Sequence, residues 1–138
     1  MTGTFIISER PRADRNNERG NTYFWHAKRS ATSALESDGL PVVRTGPIHI
    51  SIGLIYPQPG AMLEHDVRDI GLWGEHGIPR PERAAALILD ALTGSLYSSV
   101  SQVEPLHVSR IILPAPKILE QFGPDNTRGC TVIRWSCE

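Results

Sequence analysis

The sequence predicts an α+β domain in which a small mixed β-sheet carries helices packed on one face. Its 138 residues correspond to a single domain of ordinary size. An alternating apolar strand follows Gly46-Pro47, and an alanine- and leucine-rich helix begins near Pro81. Strand and helix patterns follow one another in the order β-α-β-loop-α-β-β, which is typical of a sheet covered by helices.

The first half of the chain contains two predicted strands and one predicted helix. Residues 4–8 are a short β-rich run, and the polar stretch at 9–21 has the composition of a loop. Residues 22–37 predict an amphipathic helix, because apolar side chains recur at helical spacing at Phe24, Ala27, Ala31 and Leu35. The strand after Gly46-Pro47 alternates, and its predicted core face consists of Ile48, Ile50, Ile52, Leu54 and Tyr56.

The second half begins with a segment at 61–80 that has no sustained periodicity. Irregular stretches of this length are uncommon in a compact domain unless they are functional or disordered. The helix that follows has Pro81 and Glu82 in its first turn and Gly94 as its expected C-terminal cap. Residues 103–113 and 131–136 predict the last two strands, and the turn-forming residues between them predict a loop at 114–129.

Composition restricts the class of protein. The apolar fraction is 40%, the net charge is −1, and no apolar run approaches the roughly 18 residues that a membrane span needs. No basic segment followed by a long apolar run indicates a secretory signal, so we expect a soluble, cytoplasmic protein with no membrane partner. Cys130 and Cys137 would lie about 20 Å apart along one extended strand, which predicts two reduced thiols.

The basic residues are the first functional candidates. Twelve of the 14 are arginine, whose planar guanidinium group suits phosphate. Six of the 14 basic residues, five arginines and one lysine, fall in the first 29 residues. Two more arginines flank the start of the second helix. The candidate DNA-binding residues are therefore Arg10, Arg12, Arg15, Arg19, Lys28, Arg29, Arg80 and Arg83. For charge runs alone, an ordinary solvated surface is the preferred interpretation.

One block is more specific than charge. Asp90-Ala91-Leu92-Thr93-Gly94, then Leu96-Tyr97, then Ser101-Gln102-Val103 join a helix to a strand. In this block the chain resembles the RusA-like Holliday junction endonucleases, small dimeric proteins that cut four-way DNA junctions. The resemblance extends in element order over most of the chain. It implies a homodimer and a partner of branched DNA.

The departures from this family concern its metal site. Family members hold magnesium with two aspartates at the start of the second helix and one acid before the Gln-Val pair. The corresponding positions here are Arg80, Glu82 and the pair Ser99-Val100, so Glu82 is the one remaining candidate for a catalytic carboxylate. Arg80 would repel the ion by about 4 kcal/mol per unit charge at 4 Å and an effective dielectric of 20, and by twice that for a divalent ion. The family's metal site is therefore predicted to be lost, and with it any need for a cofactor.

A replacement metal site is the alternative. Asp66 and Asp69 lie three residues apart in the acidic central segment and could join Glu82 in holding Mg²⁺ or Mn²⁺. Solvated loop acids are the preferred interpretation, because no spacing here matches a known ligand motif.

Three functions follow from these observations. The first is a catalytically degenerate RusA-like protein that binds branched DNA or a protein partner without cutting. The second is an active metal-dependent junction endonuclease with relocated carboxylates. The third is a protein-interaction module that has reused the fold. No nucleotide-binding or hydrolase motif suggests another enzyme class.

Overall fold

The computed structural model describes residues 1–12, 15–57 and 80–137. Over these residues, strands and helices follow in the order β1 (Thr2–Ile7), α1 (Glu18–Ser37), β2 (Ile48–Pro57), α2 (Pro81–Leu92), β3 (Val103–Leu113), α3 (Ala115–Phe122) and β4 (Cys130–Ser136). The predicted α+β class with a small mixed sheet is confirmed. Most of the unpatterned segment at 61–80, including Asp66 and Asp69, lies outside the described residues.

The sheet has the strand order β1-β4-β2-β3. β4 runs antiparallel to both β1 and β2, whereas β2 and β3 are parallel and are connected through α2. Ile52 lies opposite Val108 on one side and Ile133 on the other, which fixes the face that each strand turns toward the helices. β3 is consequently an edge strand.

The core lies between this sheet and the pair α1 and α2. The five β2 residues predicted to face inward are all 1% exposed or less, which confirms the predicted alternation. They pack against the apolar faces of the two helices, whose buried residues include Phe24, Ala27, Ala31, Ile88 and Leu92. Burial of this apolar surface is the main stabilising contribution to the fold.

α1 begins at Glu18, four residues before the predicted start. The reason is a side-chain cap, since Asn17 Oδ1 accepts a hydrogen bond from the Gly20 backbone N–H at 2.8 Å. The asparagines and the glycine at 16–20 predict a loop, because both residue types are common in turns. Asparagine is also a preferred N-cap residue, and that preference decides the start of α1. The arginine-rich stretch therefore runs directly into the first turn of a helix.

A third helix occupies part of the predicted loop at 114–129. α3 has prolines at its start, where a missing N–H costs nothing, and Gly123 with φ of +91° just after its end. Its Ile118 packs with Ile55 and Cys130 on the sheet face opposite α1 and α2. Cys130 and Cys137 form no disulfide, as predicted, and burial raises the pKa of Cys130 to about 11.

Among the helices within the described ranges, none is long and apolar enough to cross a membrane.

Candidate functional site

The chain that leaves β1 brings several arginines to one end of the sheet. It turns after Ile7, where the Glu9 N–H donates to the Ile7 carbonyl oxygen at 2.9 Å. Glu9 then forms an ion pair with His26 of α1, with 2.9 Å between Oε1 and Nδ1. This pair ties the segment to α1 just before Arg10 and Arg12.

Arg12 is the centre of the positive charge at this end. Burial lowers the pKa of its guanidinium group, and the charges of Arg10 and Arg19 lower it further. Glu9 and Tyr56 act in the opposite direction but do not compensate. Arg10 and Arg19 are thus each close enough to Arg12 to repel its charge, and a repulsion of this kind is relieved by a bound anion.

Arg15 belongs to an adjacent aromatic cluster. Its guanidinium carbon lies 3.7 Å from the ring centroid of Phe24 and 5.9 Å from that of Trp25. Its Nη2 donates to Asn21 Oδ1 at 3.0 Å, which holds the side chain over α1. Trp25 is 48% exposed, and an exposed indole offers both an apolar face and a hydrogen-bond donor to a partner.

The remaining basic candidates lie elsewhere. Lys28 Nζ donates to the carbonyl oxygens of Ala91 at 3.2 Å and Thr93 at 3.0 Å, so its charge is used at the end of α2. Arg29 is exposed on α1, and Arg80 and Arg83 are exposed at the start of α2. The structure brings Arg10, Arg12 and Arg19 together and does not join Lys28 to them.

Two residues of this site were not singled out from the sequence, Tyr56 and Arg110. Tyr56 ends the apolar face of β2, and the charges of Arg10, Arg110 and Arg12 all act on its hydroxyl. Arg110 shares a face with Tyr56, because it lies opposite Leu54 in the β2–β3 register. The sequence gives only a weak signal for Tyr56, which is a hydroxyl-bearing residue at the end of a run of aliphatic residues.

The positions that correspond to the family's metal ligands do not fit a magnesium ion. Glu82 is exposed in the first turn of α2, and Arg80 precedes that helix. Ser99 and Val100 belong to a short 3-10 turn in which Ser99 caps the backbone and Gln102 completes a capping box. Across the described ranges there is no group of three or more His, Cys, Asp or Glu side chains able to hold a metal.

The chain matches no protein-family model, and no curated protein is significantly similar to it in sequence.

Proposed function

We propose that this chain is a catalytically degenerate RusA-like protein that binds branched DNA without cutting it. The observation that carries the proposal is the partly buried position of Arg12 beside Arg10 and Arg19, where burial and then these two charges lower its pKa. Phosphate groups supply the acceptors and the negative charge that such a cluster lacks.

The aromatic cluster extends the same surface. Arg15 is held against Phe24 and beside the exposed Trp25. Helical stacking can be interrupted at the crossover of a four-way junction, and an exposed aromatic ring can stack on the face of a base. A surface that combines guanidinium groups and an exposed indole offers both phosphate contacts and base stacking, the two interactions that a nucleic acid makes.

The absence of cutting rests on the residues at the start of α2 and in the turn before β3. Phosphodiester cleavage by this family's route needs a magnesium ion held by several carboxylates. Arg80, Ser99 and Val100 cannot supply them, and Glu82 alone on an exposed helix start binds a divalent ion weakly. Asp66 and Asp69, the relocated candidates, lie outside the described residues.

Electrophoretic mobility shift on four-way and linear duplex DNA tests the binding. We expect tighter binding to the junction, with log K falling by about 0.9 per unit log salt for each phosphate contacted. Arg12→Gln and Arg19→Gln should each weaken binding and make the salt slope less steep. Arg134→Gln is the matched control, because Arg134 is exposed on the sheet face that is turned away from α1 and α2. No binding to either DNA at low salt would contradict the proposal.

Incubation of a labelled junction with Mg²⁺ or Mn²⁺ tests the absence of cutting. We expect an intact junction with both metals. Cleavage that is lost in Glu82→Ala or Asp66→Ala would instead establish an active endonuclease with relocated carboxylates. A stable protein complex from the native host, together with no DNA binding, would favour the interaction module.

A further inference from the structure

The hydroxyl of Tyr56 is buried without a hydrogen-bond partner. The residue has 0% relative exposure, and its oxygen is one of the two orphaned side-chain atoms found among the described residues. A buried hydroxyl with no partner is destabilising, a cost that phenylalanine at the same position would avoid. A tyrosine here is therefore explained best by a partner that the described part of the chain does not provide.

The surroundings of this hydroxyl are cationic. The Arg10 guanidinium carbon lies 6.0 Å from the Tyr56 ring centroid, and the charges of Arg110 and Arg12 also act on the phenol. These residues come from two separate parts of the fold, the segment after β1 and the edge strand β3. Among the described residues, Glu9 is the carboxylate whose charge acts on Arg12, and it also contacts His26.

The donors at this place match one ligand chemistry. Guanidinium groups donate hydrogen bonds and cannot accept them, and a protonated phenol can donate one more. Burial raises the pKa of Tyr56, so the phenol keeps its proton at neutral pH. A ligand that accepts from all of these groups must have several oxygen acceptors and a negative charge, as a phosphate does.

We infer that Tyr56, Arg10, Arg12 and Arg110 form a subsite for one phosphate group. The inference rests on the proposed function where that phosphate belongs to a DNA backbone, but the same chemistry accepts a free phosphorylated ligand. Arg10 and Arg12 are partly exposed, so these two members of the subsite are in contact with solvent.

Titration of the full chain with inorganic pyrophosphate, followed by calorimetry, tests the subsite. We expect Tyr56→Phe to weaken pyrophosphate binding roughly tenfold, because one hydrogen bond to a charged ligand is lost. Arg12→Gln should weaken it at least as much. Tyr97→Phe is the matched control, since it removes a buried hydroxyl that donates to the Leu89 carbonyl and should leave binding unchanged.

Thermal unfolding provides a second readout. Without ligand, Tyr56→Phe should be as stable as the wild type or more so, since the lost hydroxyl has no partner in the fold. Pyrophosphate should raise the wild-type Tm, and this increase should shrink in Tyr56→Phe. Equal pyrophosphate affinity in wild type and Tyr56→Phe, or no binding to the wild type at low salt, would overturn the subsite.

The DNA measurements separate the two proposals. Junction binding that depends on Arg19 and not on Tyr56 would overturn the subsite and leave the proposed function standing. Pyrophosphate binding that depends on Tyr56, with no binding of four-way DNA, would support the subsite as a site for a small phosphorylated ligand and contradict the proposed function.

Discussion

Lys28 is a basic residue whose charge stabilises the fold. Its ammonium group donates to two carbonyl oxygens at the end of α2, those of Ala91 and Thr93. Helix C-termini have unpaired carbonyls and partial negative charge, so a cation there is favourable. The adjacent Arg29 is exposed to solvent. Neighbouring basic residues on α1 therefore have different roles.

We expect Lys28→Met to lower the free energy of unfolding by about 1–2 kcal/mol, because two carbonyls lose a charged donor while the aliphatic stem is retained. Urea denaturation followed by circular dichroism measures the change. Arg29→Gln is the control and should change stability by less than about 0.5 kcal/mol. If Lys28→Met had wild-type stability and weaker DNA binding, Lys28 would contribute to DNA binding and not to the stability of the fold.

The burial of Tyr97 makes the stability of the fold depend on pH in the alkaline range. Its side chain is fully buried, and burial raises its pKa to about 12. In the unfolded chain a tyrosine titrates near pH 10. Between these values the unfolded state has lost the proton that the folded state retains. The neutral phenol therefore makes its full contribution to the free energy of unfolding below about pH 10. This contribution is lost as the pH rises toward 12.

We expect the free energy of unfolding to fall above about pH 10, with Tyr97 contributing about 1.4 kcal/mol per pH unit to the slope. Urea denaturation at several alkaline pH values measures that slope for wild type and Tyr97→Phe. The variant should have the shallower slope even if its stability at neutral pH is lower. Identical slopes would show that Tyr97 ionises equally in both states.

At the scale of elements, the 3-10 turn before β3 is stabilised by a single side-chain amide, that of Gln102. Gln102 Oε1 accepts from the backbone N–H groups of Ser98 and Ser99, each at 2.9 Å. Its Nε2 donates to the carbonyl oxygens of Val43 and Gly46, each at 3.1 Å. One amide therefore joins the turn to the segment before β2. These four hydrogen bonds hold the turn against the segment before β2.

We expect Gln102→Ala to lower the free energy of unfolding by about 2–4 kcal/mol, because four hydrogen bonds are lost at roughly 0.5–1.5 kcal/mol each and some backbone groups regain water. Denaturant unfolding measures this loss. Gln121→Ala, on the exposed side of α3, is the matched control. A loss in Gln102→Ala no larger than the control's would mean that water replaces the amide fully.

Much of the element structure could be predicted from the sequence. The bounds of β3 and the buried face of β2 agree with the prediction, because strand periodicity and β-branched residues act locally. α3 could not be predicted, because its prolines and glycine resemble those of a loop and Ile118 is its single buried residue. What stabilises α3 is contact with Ile55 and Cys130, which are distant in sequence.

The candidate site was predictable only in part. The charge pattern selected Arg10, Arg12 and Arg19, because a local excess of arginine is visible in sequence. It did not select Arg110 or Tyr56, which reach the same place through the β2–β3 pairing. It also grouped Lys28 with the arginines, although the packing of α1 on α2 directs that side chain to carbonyl oxygens.

At the scale of the whole molecule, the β3 edge supports the homodimer that the resemblance implies. β3 is 11 residues long, and in the described part of the chain its outer side pairs with no other strand. Leu106 and Ile111 lie on opposite faces of this edge, and each is 39% exposed. An unpaired edge strand can pair with another strand, and a second copy of the chain can provide one about a two-fold axis.

We expect light scattering coupled to size-exclusion chromatography to give twice the 15.2 kDa mass of the chain at a protein concentration of about 50 μM. Ile111→Lys should shift the protein to the monomer, because a lysine on an edge strand opposes pairing with another strand. Leu119→Lys is the matched control, since Leu119 is 49% exposed on α3, away from this edge. A monomeric wild type would contradict the homodimer and weaken the kinship with junction endonucleases, which present two sites to a four-way junction. A dimer that survives Ile111→Lys would leave the symmetry in place and move the interface away from β3.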